Sequence, residues 1–185
     1  ADILKFAADG THIGSYTISG GSNIRDLAWD GEYLYGGAAS TTIYQIDPET
    51  FEVVNQFGSP ENVRAIAYDS NNDGFWVCDW STDFWLVGRD GVMIDVVANP
   101  GVESNYGLAY DNLTGSPSLW IHSQGGSGDD LVQLDIGSGA LTGVSRNVLA
   151  DIPAQGAPIA GGAFITTDYE AGIVTLGGLI QADFN

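Results

Sequence analysis

Short apolar runs alternate with tight polar turns along the whole chain, and no useful length carries the helical period. The clearest stretch is Ile24-Arg25-Asp26-Leu27-Ala28-Trp29, then Asp30-Gly31, then Glu32-Tyr33-Leu34-Tyr35. Two apolar segments around Asp-Gly predict a β-hairpin, with both turn residues at positive φ. A hairpin is also expected before it, from residues 3–6 and 13–18 around Ala8-Asp9-Gly10-Thr11. Another follows, from residues 42–46 and 51–57 around Asp47-Pro48-Glu49-Thr50.

The central pattern then returns. Ile66-Ala67-Tyr68-Asp69 and Tyr106-Gly107-Leu108-Ala109-Tyr110-Asp111 repeat Leu27-Ala28-Trp29-Asp30, and Gly161-Gly162-Ala163-Phe164-Ile165 is a degenerate fourth copy. A period of roughly 40 residues with four short strands per repeat is the signature of propeller blades. The expected fold is therefore all-β: a β-propeller of four-stranded antiparallel blades in one domain over residues 1–185. Ala28, Ala67, Ala109 and Ala163 form one expected column where inner strands crowd toward an axis, beside an aromatic column that packs between blades.

Calling the inner pair of strands A–B and the outer pair C–D, the chain starts with a C–D hairpin and stops after an A–B hairpin. About four blades are present, one of them split between the two ends. Unpaired sheet edges are liabilities, which leaves three arrangements. The two half-blades pair with each other, the chain belongs to a larger propeller, or half-blades pair between molecules into a ring or filament.

The stretches Leu27-Ala28-Trp29-Asp30-Gly31-Glu32-Tyr33-Leu34-Tyr35, Ile43-Tyr44-Gln45-Ile46-Asp47-Pro48-Glu49-Thr50 and Ile66-Ala67-Tyr68-Asp69 resemble bacterial secreted and cell-surface propellers of the YVTN and NHL type. The resemblance implies an extracellular or cell-surface module for binding, adhesion or scaffolding, and in some members an enzyme.

Composition narrows the partners. With 24 acidic and 5 basic residues the formal charge is −19, which repels phosphate backbones and anionic membranes, so no nucleic-acid partner is expected. The sequence holds no apolar run long enough to predict membrane insertion. Asp9, Asp30, Asp47, Asp69, Asp90, Asp111 and Asp135 fall at predicted turns and read as turn formers. The single cysteine, Cys78, permits no internal disulfide.

Candidate chemistry is sparse. Asp69-Ser70-Asn71-Asn72-Asp73-Gly74 matches the first half of a calcium loop, with Asp69, Asn71 and Asp73 as ligands, yet Trp80 stands where the twelfth-position acid belongs. It also reads as an ordinary blade turn. Arg25 and Arg64 occupy equivalent positions in two inner strands, either lining an anion-binding channel mouth or pairing with turn aspartates between blades. Trp76 and Trp120 sit inside apolar runs and read as core, whereas Trp80 and Trp85, among polar neighbours, are candidates for an exposed sugar- or peptide-binding platform. His12 and His122 show no zinc spacing, no serine lies in a G-x-S-x-G elbow, and Gly125-Gly126-Ser127-Gly128 opens no helix. Asn112-Leu113-Thr114 is a glycosylation sequon. The leading expectation is a non-catalytic interaction module with a protein or glycan partner. The alternatives are a self-assembling subunit and a calcium-assisted hydrolase or lyase.

Overall fold

The computed structural model describes residues 2–21, 23–124, 130–150 and 159–181. Three four-stranded antiparallel sheets follow one another as complete blades. Blade 1 comprises β3 (Asp26–Trp29), β4 (Leu34–Gly37), β5 (Thr42–Ile46) and β6 (Val53–Gly58). Blade 2 comprises β7 (Ala65–Asp69), β8 (Gly74–Cys78), β9 (Phe84–Gly88) and β10 (Met93–Val97). Blade 3 comprises β11 (Asn105–Asp111), β12 (Ser118–Ser123), β13 (Asp130–Asp135) and β14 (Ala140–Asn147). The remaining strands are two separate hairpins, β1 (Asp2–Phe6) with β2 (His12–Thr17), and β15 (Ile159–Glu170) with β16 (Ile173–Gln181). The chain is a four-bladed β-propeller whose fourth blade is split, as the repeat order predicts.

Register repeats from blade to blade. Ala28 faces Tyr35, Ala67 faces Trp76, and Ala109 faces Trp120. The turn aspartates do the work their positions suggest. Asp30 accepts from the backbone N–H groups of Glu32 and Tyr33, Asp69 from those of Asn71 and Asn72, and Asp111 from those of Leu113 and Thr114. The first of these turns departs from expectation: only Gly31 has positive φ, at 102°. The Asp30 carboxylate, spanning two amides, replaces the backbone geometry of a two-residue hairpin with a four-residue capped loop.

The core lies between blades, and it is unequal around the ring. Blades 2 and 3 enclose Trp76, Phe84, Leu86, Leu108, Leu119 and Ile121, all essentially buried. Blades 1 and 2 enclose Tyr35, Ile43, Val63, Ile66, Phe75 and Val77. Between blade 3 and β15–β16 the cluster shrinks to Ala109, Leu131 and Ala163, with partly buried neighbours such as Trp120 and Leu176. On the far side of β15–β16, toward β1–β2, the packing gives way to a cleft.

The hairpin β1–β2 is held to blade 1. Ser19 donates its N–H to the Phe51 carbonyl at 3.1 Å and accepts from Val53 N–H at 2.9 Å, while Tyr16 stacks on Phe51 at 4.1 Å. Among the described residues β1 hydrogen-bonds to no strand but β2, and β16 to none but β15. The weak fourth copy nonetheless forms long strands, 12 and 9 residues. Of the irregular stretch expected over residues 146–158, residues 151–158 lie outside the described residues, as does the Gly125–Gly128 segment.

Candidate functional site

The inner strands converge on one carboxylate. Asp26 is 5% exposed, and it stands where the equivalent residues are the small Ala65 and Gly107. Its Oδ1 accepts from Leu27 N–H at 2.9 Å, and its Oδ2 accepts from Ile66 N–H at 3.0 Å and Leu108 N–H at 3.1 Å. The backbone N–H of Ala163 also bonds to it. One side chain thus collects a backbone donor from each of the four inner strands, closing the axis with the acceptor that these buried amides require. A Cβ on Gly162 would come within 2.4 Å of Oδ1, so the fourth strand passes this point only as glycine. Burial drives the Asp26 carboxyl up to about 7, against the opposing pull of the amides of Ile66, Leu108, Leu27 and Ala163.

These bonds also set the register of the fourth copy. Ala163 aligns with Leu27, Ile66 and Leu108, so Phe164, not alanine, occupies the column of Ala28, Ala67 and Ala109. The expected alanine column is therefore corrected at its last member. Sequence alone matched alanine to alanine, and no side-chain pattern marks which amide points at the axis.

At the end of the propeller carrying the A–B turns, a cavity of about 350 Å³ opens above Asp26, walled by Ala28, Ala67 and Ala109 and rimmed by Trp29, Tyr68 and Phe164. A second cavity of about 440 Å³ is the cleft of the fourth blade. Ile3, Leu4 and Phe6 of β1 face Leu179 of β16 across it, and Arg25 and Asp26 lie at its inner end. Leu4, Phe6 and Leu179 are more than half exposed.

The candidate residues fall at different places. Arg25 and Arg64 are structurally equivalent, each donating its backbone N–H to the adjacent inner strand, at the Gly37 and Cys78 carbonyls. Their side chains differ. Arg64 Nε donates to Asp79 Oδ1 at 2.7 Å, and its guanidinium lies 4.1 Å from the centroid of Trp80, which meets Tyr106 edge-on. Arg25 is exposed and has no ion-pair partner among the described residues. Trp80 is 41% exposed. Trp85 is half-buried against the core between blades 1 and 2, so of these two candidates Trp80 is the one with an open indole.

Asp69, Asn71 and Asp73 serve separate partners. Asp69 is buried and accepts from Trp76 Nε1 at 3.0 Å, Asn71 Nδ2 donates to Tyr110 Oη at 2.8 Å, and Asp73 accepts from Tyr68 Oη at 2.9 Å and Arg89 Nε at 2.8 Å. A calcium ion here has to displace these donors. Among the described residues no group of three or more His, Cys, Asp or Glu is gathered as a metal requires. The sequon is folded into its turn, with Asn112 Nδ2 donating to Ser70 Oγ at 3.0 Å.

Two side chains that tie the blades together carry no signal in the sequence. Asp26 was one, because a lone aspartate inside a strand carries no motif. Arg89 was the other, because it sits in a turn. It ties blade 1 to blade 2 through Asp30 at 2.9 Å, Asp73 at 2.7 Å and the Tyr35 hydroxyl, which is the inter-blade role that Arg25 and Arg64 were expected to fill. Asp73 is held below the ordinary carboxylate range by Arg89 and Tyr68. Cys78 is buried, and burial pushes its thiol far upward, away from a thiolate nucleophile.

No family model matches the chain, and no curated protein matches it. Solved structures do. The glutaminyl cyclase of Myxococcus xanthus superposes with a TM-score of 0.68 at 15% identity, covering 91% of this chain and 73% of that one. The hydrazine synthase of Kuenenia stuttgartiensis superposes at 0.52 and 12%, covering 78% of this chain and 42% of that one. The likeness is one of fold. The resemblance to YVTN- and NHL-type proteins is accordingly supported as a propeller, without evidence for either repeat family.

Proposed function

We propose that this chain is a non-catalytic interaction module of a secreted or cell-surface protein, and that its open fourth blade is the working surface. The observation that carries the reading is the pair of free edges, β1 and β16, facing each other across an apolar cleft. Free edges offer unpaired backbone donors and acceptors to an extended partner segment, and exposed Leu4, Phe6 and Leu179 supply apolar contacts for its side chains. The axis argues in the same direction. The Asp26 carboxylate at its centre is engaged by backbone amides, which suits a structural role more than acid–base work in hydrolase or lyase chemistry.

The test uses the chain's own outer hairpin as probe. A synthetic peptide of residues 2–17 is titrated against the protein, and sedimentation is followed across a wide concentration range. Peptide binding that protects β16 amides from hydrogen exchange supports strand acceptance, and concentration-dependent association identifies a second copy as a partner. A monomer that binds no hairpin, with β16 amides as protected as those of β8, overturns the reading.

A further inference from the structure

The axial cavity on the turn face adjoins the cleft, sharing Leu27, Ala163 and Phe164 with it, and has a distinct chemistry. Its walls are small and apolar because Ala28, Ala67 and Ala109 leave the axis unfilled, and its volume of about 350 Å³ suits a small ligand. Its rim is aromatic: Trp29 is 50% exposed, Phe164 is 51% exposed, and Tyr68 is partly exposed. Gly177 lies under Phe164, where a Cβ would stand 2.3 Å from the ring, so a glycine is what lets this ring lie at the cavity wall.

Charge selects the ligand. Asp30, Asp69 and Asp111 directly follow the rim positions Trp29, Tyr68 and Tyr110 in sequence but serve the turns and do not line the cavity. The selection therefore comes from the rings and from the charge of the whole protein. Arg89, the cation of this region, is engaged by Asp30 and Asp73 and lies over Tyr35 at 5.3 Å and over Tyr68 and Phe75 at 5.5 Å from each centroid. The ring of Tyr68 thus already carries a cation, and the free ring faces are those of Trp29 and Phe164. An anion entering this pit meets aromatic faces inside a protein of strongly negative net charge. A cation with an apolar shell gains from both, since ring faces carry negative electrostatic potential and a protein of charge −19 concentrates cations at its surface.

We propose that the axial cavity binds a small organic cation of the alkylammonium class, its methylated head held between Trp29 and Phe164.

The experiment compares choline with its uncharged isostere 3,3-dimethylbutan-1-ol by calorimetric titration of the intact chain. Shape and apolar area are matched, so the difference reads the charge. Choline should bind about tenfold more tightly than the alcohol, and its affinity should fall as salt rises. Trp29→Leu should weaken choline by about fivefold or more with little change in binding of the alcohol. Phe164→Leu serves the same purpose if the first variant does not fold, and Trp80→Leu, at the opposite end of the propeller, should leave choline binding unchanged. Equal affinity for the two ligands, or no binding of either, overturns the proposal. So does loss of choline binding in Trp80→Leu with retention in Trp29→Leu. The decisive variant, Trp29→Leu, lies in blade 1 and outside the cleft, and the readout is choline against its isostere rather than hairpin binding at β16, so this proposal and the interaction reading fail separately.

Discussion

The junction of blades 1 and 2 and the junction of the fourth blade with blade 1 are built from the same repeat, and only one of them is closed. In the first, complete sheets bring Tyr35, Ile43, Ile66, Phe75 and Val77 into a buried layer. In the second, the outer hairpin β1–β2 is bonded to blade 1 but not to β16, and Leu4, Phe6, Phe164 and Leu179 remain exposed around the cleft. The difference teaches that inter-blade burial here follows from a continuous B–C pairing: without it, similar apolar content stays in water. Phe75→Ala tests the closed side and should cost about 3–5 kcal/mol, measured by denaturant unfolding. Phe164→Ala, in an inner strand but half exposed, should cost about 1 kcal/mol or less. Equal losses erase the contrast.

Asp26 is the point where the closed and open parts meet, because its acceptors serve β7 and β11 as well as β15. Asp26→Ala leaves several buried amides unpaired, and the expected loss is roughly 3 kcal/mol. The pH dependence has a defined sign. The folded carboxyl, raised to about 7, binds its proton more tightly than the unfolded one at 3.8. Its contribution is therefore full below the unfolded value and is lost as pH rises through about 7. The capped aspartates act oppositely: Asp47 and Asp135, held low by backbone and side-chain bonds from Glu49, Thr50 and Ser138, lose stabilisation as pH falls below the ordinary range. Melting temperature should pass a maximum on the acid side of neutrality and decline toward pH 8. In Asp26→Asn that decline should flatten.

Blade number, strand order and the split were legible in the chain because each turn carries its own aspartate or glycine and each inner strand its own aromatic. The turn readings of Asp47, Asp90 and Asp135 follow from local chemistry alone, and their carboxylates cap the amides of Glu49, Val92 and Ser138. Asp26 and Arg89 were not legible, since the partners that join them to other blades, the amides of Ile66 and Leu108 for Asp26 and the turn carboxylate of Asp30 for Arg89, lie 40 or more residues away in sequence. The offset of the fourth copy escaped for a related reason. Gly161, Gly162 and Ala163 look interchangeable as small residues, and only convergence on one carboxylate distinguishes them.

The two equivalent arginines give a smaller version of the same contrast. Arg64 is nearly enclosed, bonded to Asp79 and stacked on Trp80, so Arg64→Met strands a carboxylate and should cost about 1–2 kcal/mol. Arg25 borders the open cleft without an ion-pair partner among the described residues, and Arg25→Met should fall within about 0.5 kcal/mol of the parent. Thermal unfolding of the two single variants reads the difference.

The smallest effect on stability is the most informative about the cleft. Leu179 is 60% exposed on β16, so Leu179→Lys removes little buried area and should change unfolding free energy by no more than about 0.5 kcal/mol. Its effect on association should be much larger, because a charge placed on the apolar lip opposes a strand laid along that edge. A variant that keeps its melting temperature but no longer binds the 2–17 hairpin assigns the lip to recognition. A loss of more than about 2 kcal/mol instead means that Leu179 is buried in solution, with β1 closed onto β16. In that event the fourth blade is complete within one chain, and the two junctions differ only in the path by which their strands are joined.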